Sequence, residues 1–247
     1  MKKEGKNMTR KEQKEERKQA ILMTALTLFV ERGYYDTKIT DIAEAVPMST
    51  GLLFHYFESK EELYTELVRM GAQATAAFGS QGNTEKPQDN SSAFPDDIIT
   101  KDLPDKTPDN DKSVSSEAVA DKTDLKGKQM DTDQVISPDI YFTKFLKGLF
   151  AYSKAQPWVF NMFVLMGQAR RSGMPEEARK LALSVSAIDS SAKLIEFGQK
   201  MGVFREGDSK LLSTCFWATV QGIMEEMAVN KDLQAPDPEW IVAILKK

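Results

Sequence analysis

The sequence predicts an all-α protein, and three observations carry that expectation. Apolar residues recur with the 3.6-residue period of a helix in segment after segment. Glycine and proline fall between these segments, at Gly33, Pro47, Pro157, Gly173 and Pro175. No stretch alternates apolar and polar residues over a strand's length, so no sheet competes. The layout is a three-helix N-terminal domain containing a helix-turn-helix, a fourth helix leading out of it, and a C-terminal helical domain.

Composition narrows the class. The chain has 247 residues, 41% of them hydrophobic and 28% charged, which suits a globular protein of more than one domain. One cysteine excludes an internal disulfide framework. One histidine leaves little for histidine metal sites or a Ser-His-Asp triad. With no glycine-rich phosphate loop and no metal-ligand spacing, neither catalysis, a cofactor nor a metal is expected. Met1-Lys2-Lys3 opens a charged stretch, not a signal peptide, and the apolar run Trp158–Met166 is too short for a bilayer. A cytoplasmic location is expected. The net charge of −4 does not itself suggest nucleic acid, but local patches decide such binding.

Residues 1–16 are polar and basic, and residues 1–18 carry eight Lys or Arg against four Glu. They read as a flexible arm, either merely solvated or adding phosphate contacts beside a DNA-binding element. The domain at 17–78 begins with a helix over Arg17–Arg32, whose Ile21, Ala25, Leu28 and Phe29 share a face; Gly33 ends it. A second helix starts near Thr37 as N-cap, buries Ile39, Ile42, Ala43 and Val46, and stops at Pro47. Ser49 caps a third, with Leu53 and Phe57 inward and Thr50, Gly51 and Phe54 outward, His55 and Tyr56 to one side. Two short helices and a tight turn over about 37–57 have the layout of a helix-turn-helix. Ser59 and Glu62 form a capping box for a fourth helix carrying Leu63, Leu67, Met70 and Ala74.

Residues 79–136 hold seven Lys against thirteen Asp or Glu, four prolines and no sustained apolar period. They read as an acidic, disordered insertion. From 137 to 247 helical periodicity returns. One helix carries Phe142, Phe145, Leu146 and Leu149, and a largely apolar one runs Trp158–Arg171. A long one spans Leu181 to Met201, another Leu212 to Met227, and a short last one holds Trp240 to Leu245. Most of the aromatic and Met residues here belong to a core. A subset could line an apolar pocket: Phe145, Trp158, Asn161, Phe163, Met166, Trp217, Gln221 and Glu225.

Over Ile21 to Leu67 the sequence resembles the TetR family of bacterial transcriptional regulators. The resemblance rests on Phe29, Glu31 and Gly33, on Thr37, Asp41-Ile42-Ala43, Ser49 and Gly51, and above all on Leu53-Phe54-His55-Tyr56-Phe57 followed by Ser59-Lys60-Glu61-Glu62-Leu63. A looser match is the turn with Gly202, Phe204, Gly207 and Asp208. It implies a homodimer, joined through helices at about 208–228 and 237–247, that places two recognition helices in successive major grooves of a palindromic operator. It implies release by a small apolar or aromatic effector. Base-facing positions fall on Thr40, Thr50, Gly51, Leu52 and Phe54, beside the capping Ser49, and phosphate-facing ones on His55, Tyr56 and Lys60. The sequence departs from the family at Pro47, where glycine is usual, and in the acidic insertion. Leu52 and Phe54 offer thymine-methyl contact and no hydrogen bonds. The competing expectation is an interaction module that keeps the helix-turn-helix as scaffold, or an activator without small-molecule control.

Overall fold

Ten helices, numbered α1–α10 in chain order, account for the regular structure of the described residues in a computed structural model of the chain. It describes residues 9–80 and 136–247, with side chains at 9–76 and 136–247. Among them no strand forms, and a lone antiparallel bridge joins Phe204 to Lys246. No described helix is long and apolar enough to cross a membrane.

Helix α1 spans Arg10–Asp36. It begins earlier than the expected Arg17, because Thr9 and Glu12 form a capping box. Residues 10–16 are therefore helical overhang, not flexible arm. Gly33 interrupts the helix with φ 84°, a left-handed conformation open to glycine, as its terminating role required.

Thr37 is not the cap of α2 (Ile39–Ala45); Lys38 stands there. The Thr37 side chain is buried and donates instead to the carbonyls of Leu28 and Gly33, satisfying groups exposed where α1 breaks. Helix α3 spans Thr50–Phe54 with Ser49 at its cap, and α4 spans Lys60–Ser80.

The second half contains α5 (Pro138–Ala155), α6 (Trp158–Ala169), α7 (Glu176–Ser184), α8 (Ala187–Lys200), α9 (Ser209–Val229) and α10 (Pro238–Val242). The single long helix expected over 181–201 is two. Val185 takes an extended conformation and Ser186 caps α8 by accepting from the Asp189 N–H, so the apolar period crosses a break. The last helix is short and is capped by Asp237. Beyond it Arg205 donates from its side chain to the carbonyls of Ala243 and Lys246 and holds the end of the chain. Most of the 79–136 stretch lies outside the described residues.

Two hydrophobic cores organise the molecule. The first joins α1–α4 to Met162, Leu165 and Ala169 of α6 and to Ala178 and Ala182 of α7. The second is rich in phenylalanine, with Phe142, Phe150, Phe160, Phe204 and Phe216 among α5, α6, α8 and α9, closed by Ile241, Val242 and Leu245. Trp158 packs against both.

Candidate nucleic-acid interface

The helix-turn-helix is built from the inside. Ile42 and Ala43 of α2, and Leu53 and Phe57 at α3, are buried in the first core. Helix α3 is only five residues long, so its own hydrogen bonds cannot hold it. Burial of Leu53 and Phe57 does, with Ser49 Oγ accepting from the Leu52 N–H at 3.2 Å. On α2, Asp41 accepts from the Lys38 N–H at 3.1 Å and pairs with Arg32 of α1 at 3.6 Å.

Fixing those two faces turns the remaining side chains outward. Thr40, Ser49, Gly51 and His55 are exposed, Thr50 and Tyr56 half-buried, Leu52 36% and Phe54 46% exposed. A phenylalanine with almost half its surface in water, next to an exposed leucine, has no role in the core below it. Pro47 in the turn has φ 27°, a conformation that glycine adopts freely and a pyrrolidine ring opposes.

Lys60 departs from its expected role as a phosphate clamp. Its ammonium donates to the carbonyls of Tyr34 at 2.8 Å, Thr37 at 3.0 Å and Tyr35 at 3.4 Å, and lies 4.3 Å from the Tyr34 ring centre. Burial holds its pKa below the usual lysine value, against the opposing pull of Asp36. Its three protons are spent on ending α1 and seating the loop into α2. The motif lysine is a structural tie.

A second tie joins the N-terminal helices to the rest of the chain. Phe29, Tyr34 and Tyr64 form an edge-to-face cluster, with Tyr64 5.2 Å from Phe29 and 4.9 Å from Tyr34. The Tyr35 hydroxyl donates to the carbonyl of Gly173, and that of Tyr64 lies 3.7 Å from Met174 Sδ, both in the α6–α7 loop.

The eight residues expected to line a pocket separate into small groups. Gln221 Nε2 donates to the Phe163 carbonyl at 2.9 Å and to Glu225 Oε1 at 2.7 Å, beside Gly167, whose missing side chain leaves room for both. Phe145 meets Trp217 edge to face at 5.8 Å, and Trp217 donates to Ser191. Trp158 lies against Tyr152 at 6.5 Å. Met166 turns the other way and packs on Gly71 of α4. Asn161 is half-buried on α6. Three of the eight thus share one polar cluster, and the others serve packing. A groove of about 650 Å³ lies elsewhere, between α4 and α7, lined by Glu61, Arg69, Glu177 and Lys180 among others.

Arg17 is a residue the sequence did not single out. It lines a groove with Val46, Pro47, Met48, Ser49 and Leu52, beside the start of α3. Its charge was legible, but its place beside α3 depends on how α1 crosses the turn.

A short α3 seated on a common core, with its outer face exposed and its cap in place, has the geometry of a helix-turn-helix. In this domain, residues 21–67 match the family model described as bacterial regulatory proteins, tetR family. Among similar proteins is the HTH-type transcriptional repressor KstR2 of Rhodococcus jostii, 43% identical over 53 residues, which are 22% of this chain and 26% of that protein. Another is the regulator HbdR of an Aromatoleum species, 45% identical over 49 residues, 20% of this chain and 21% of that one. The match thus covers about a quarter of the length of these curated relatives. The fold extends further. PfmR of Thermus thermophilus superposes with a TM-score of 0.55 over 91% of this chain and 96% of its own, at 22% identity. A TetR-family regulator from Agrobacterium tumefaciens does so at 0.57 over 94% and 99%, at 16% identity.

Proposed function

We propose that the chain is a sequence-specific transcriptional repressor that binds a palindromic operator as a homodimer and is released by a small effector. The observation that carries this is the outer face of α3. Gly51, Leu52 and Phe54 are exposed, and Thr50 half-buried, on a helix whose inner face is fixed by Leu53 and Phe57. Such a face suits the major groove, with Thr50 and Thr40 reaching base edges and Leu52 and Phe54 meeting thymine methyls. Ser49, His55 and Tyr56 flank it as phosphate partners.

Dimerisation through α9 and residues 237–247 is supported by an exposed stripe of α9 containing Leu211, Cys215, Ala218, Gly222 and Val229 at helical spacing. Small residues in its middle allow a second copy to approach closely. The half-buried Glu225, bonded to Gln221, is the polar point against which a lipophilic effector would orient.

Selection from a random duplex pool tests the reading. The expected result is a palindrome whose half-sites lie about one helical turn, or a multiple of it, apart. Equal affinity for every duplex, or none, would overturn it. Thr50→Ala should change which operator is preferred by about 1–3 kcal/mol at one base position. Cys215, the sole cysteine, should react with a thiol reagent more slowly in the dimer than in dilute monomer.

A further inference from the structure

The salt-dependent part of phosphate binding comes from cations, and residues 39–57 contain no lysine or arginine. The nearby Lys60 is bound to three carbonyls. Of the other cations at 9–76, Lys18 pairs with Glu66 at 3.4 Å, Arg32 with Asp41, and Arg69 with Glu66. Among the residues described at 9–76 that leaves Arg10, Lys11, Lys14, Arg17 and Lys38 without an ion pair. Three of these five lie on the overhang of α1, and Arg17 directly follows it.

Their phase on the helix is not arbitrary. Arg10, Lys14 and Arg17 stand at i, i+4 and i+7, one side of a helix. Continued along α1, that side becomes Ile21, Ala25 and Leu28, the stripe buried in the first core. Glu12, Glu15 and Glu16 occupy the other side, where Glu12 caps with Thr9 and Glu15 meets Gln19. The inward stripe of α1 therefore turns cationic where it runs out of core to cover. At the junction Arg17 lies beside Ser49 and Leu52, with Glu16 its one acidic neighbour in that groove.

We infer that the overhang of α1, continued to Arg17, is a preformed ridge which binds the phosphates next to each half-site through Arg10, Lys14 and Arg17. The inference rests on the DNA-binding reading above and specifies where its charge comes from. The Thr9–Glu12 capping box holds the ridge helical, so binding does not have to order a flexible arm. Contacts of this kind add affinity and register without base preference.

The test uses the full chain and its selected operator. In the triple variant Arg10→Gln, Lys14→Gln and Arg17→Gln, the plot of log affinity against log salt should become shallower by about 0.9 for each phosphate that the ridge no longer neutralises. The preferred sequence should not change. Phosphate ethylation just outside the half-sites should interfere with the wild type and not with the variant. The charge-keeping double variant Arg10→Lys and Arg17→Lys should retain most of the slope, and circular dichroism should show helix content unchanged. Lys60→Gln should lower Tm and leave the slope as it was. A triple variant with the wild-type slope and interference pattern would overturn the ridge and leave the regulator reading intact. A wild type with no sequence preference would overturn both.

Discussion

The two cores differ in what they join. The second is assembled from the later helices alone, and its phenylalanines pack ring against ring: Phe142 lies 4.8 Å from Phe216 and 6.0 Å from Phe204. The first crosses a long interval of sequence, setting α1–α4 against side chains of α6 and α7. Helices α1–α4 are thus not a bead tethered to the later helices. They share their core with α6, and α6 also reaches the second core through Val159, Phe160 and Trp158. A change in the later helices has a packed route to α4, along α6.

The strongest test of this division is to damage one core and watch the other. Phe142→Ala should cost about 3–5 kcal/mol, the range for removing a buried phenylalanine. If α6 ties the cores into one cooperative unit, amide hydrogen exchange at Leu26 and Leu67 of the first core and at Leu146 and Val220 of the second should report the same loss of stability. A loss confined to the second core would show the cores to be independent.

The contact between α4 and α6 offers a smaller perturbation. A Cβ on Gly71 would lie 2.6 Å from Met166 Sδ and 3.0 Å from Met162 Sδ. The methionine side chains must swing aside, while alanine favours the helix by about 1 kcal/mol, so Gly71→Ala should cost no more than about 1 kcal/mol net. Adding Met166→Ala should recover part of the loss, and additive losses in the double variant would show that the two sites do not press on each other.

Alkaline pH gives the mildest comparison. Burial raises the pKa of Tyr64 and Tyr34 beside the first core, and of Tyr141 beside the second. For Tyr34, Glu61 and Tyr35 add to the effect. The folded protein then holds protons that the unfolded chain gives up, so this contribution to stability is complete below about pH 10 and declines above it. Tyr64→Phe should flatten the decline of Tm with pH more than Tyr141→Phe does. Equal slopes would show that the first core holds its tyrosine no more tightly than the second.

Much of the interface was legible in the sequence because it depends on near neighbours. Ser49 caps what it was expected to cap, Gly33 breaks α1, and Leu53 with Phe57 faces inward, all within about one helical turn of their partners. Lys60 has partners that are not legible in this way. Its position at the start of α4 suggested an anion site, but its partners are carbonyls some 25 residues earlier, at the end of α1. The expected pocket failed to gather for the same reason, since Met166 and Phe163 share a helix and face different neighbours.

By itself, then, the sequence determined the helices, most of their ends and the outer face of α3. Periodicity, capping and backbone limits act over a few residues, and a short window of the chain contains them. Only the tertiary structure decided that α6 belongs to both cores, that Lys60 is a tie, and that Arg17 of α1 lies beside the start of α3. Those depend on which helix crosses which, and burial at such crossings is settled by residues far apart in the chain.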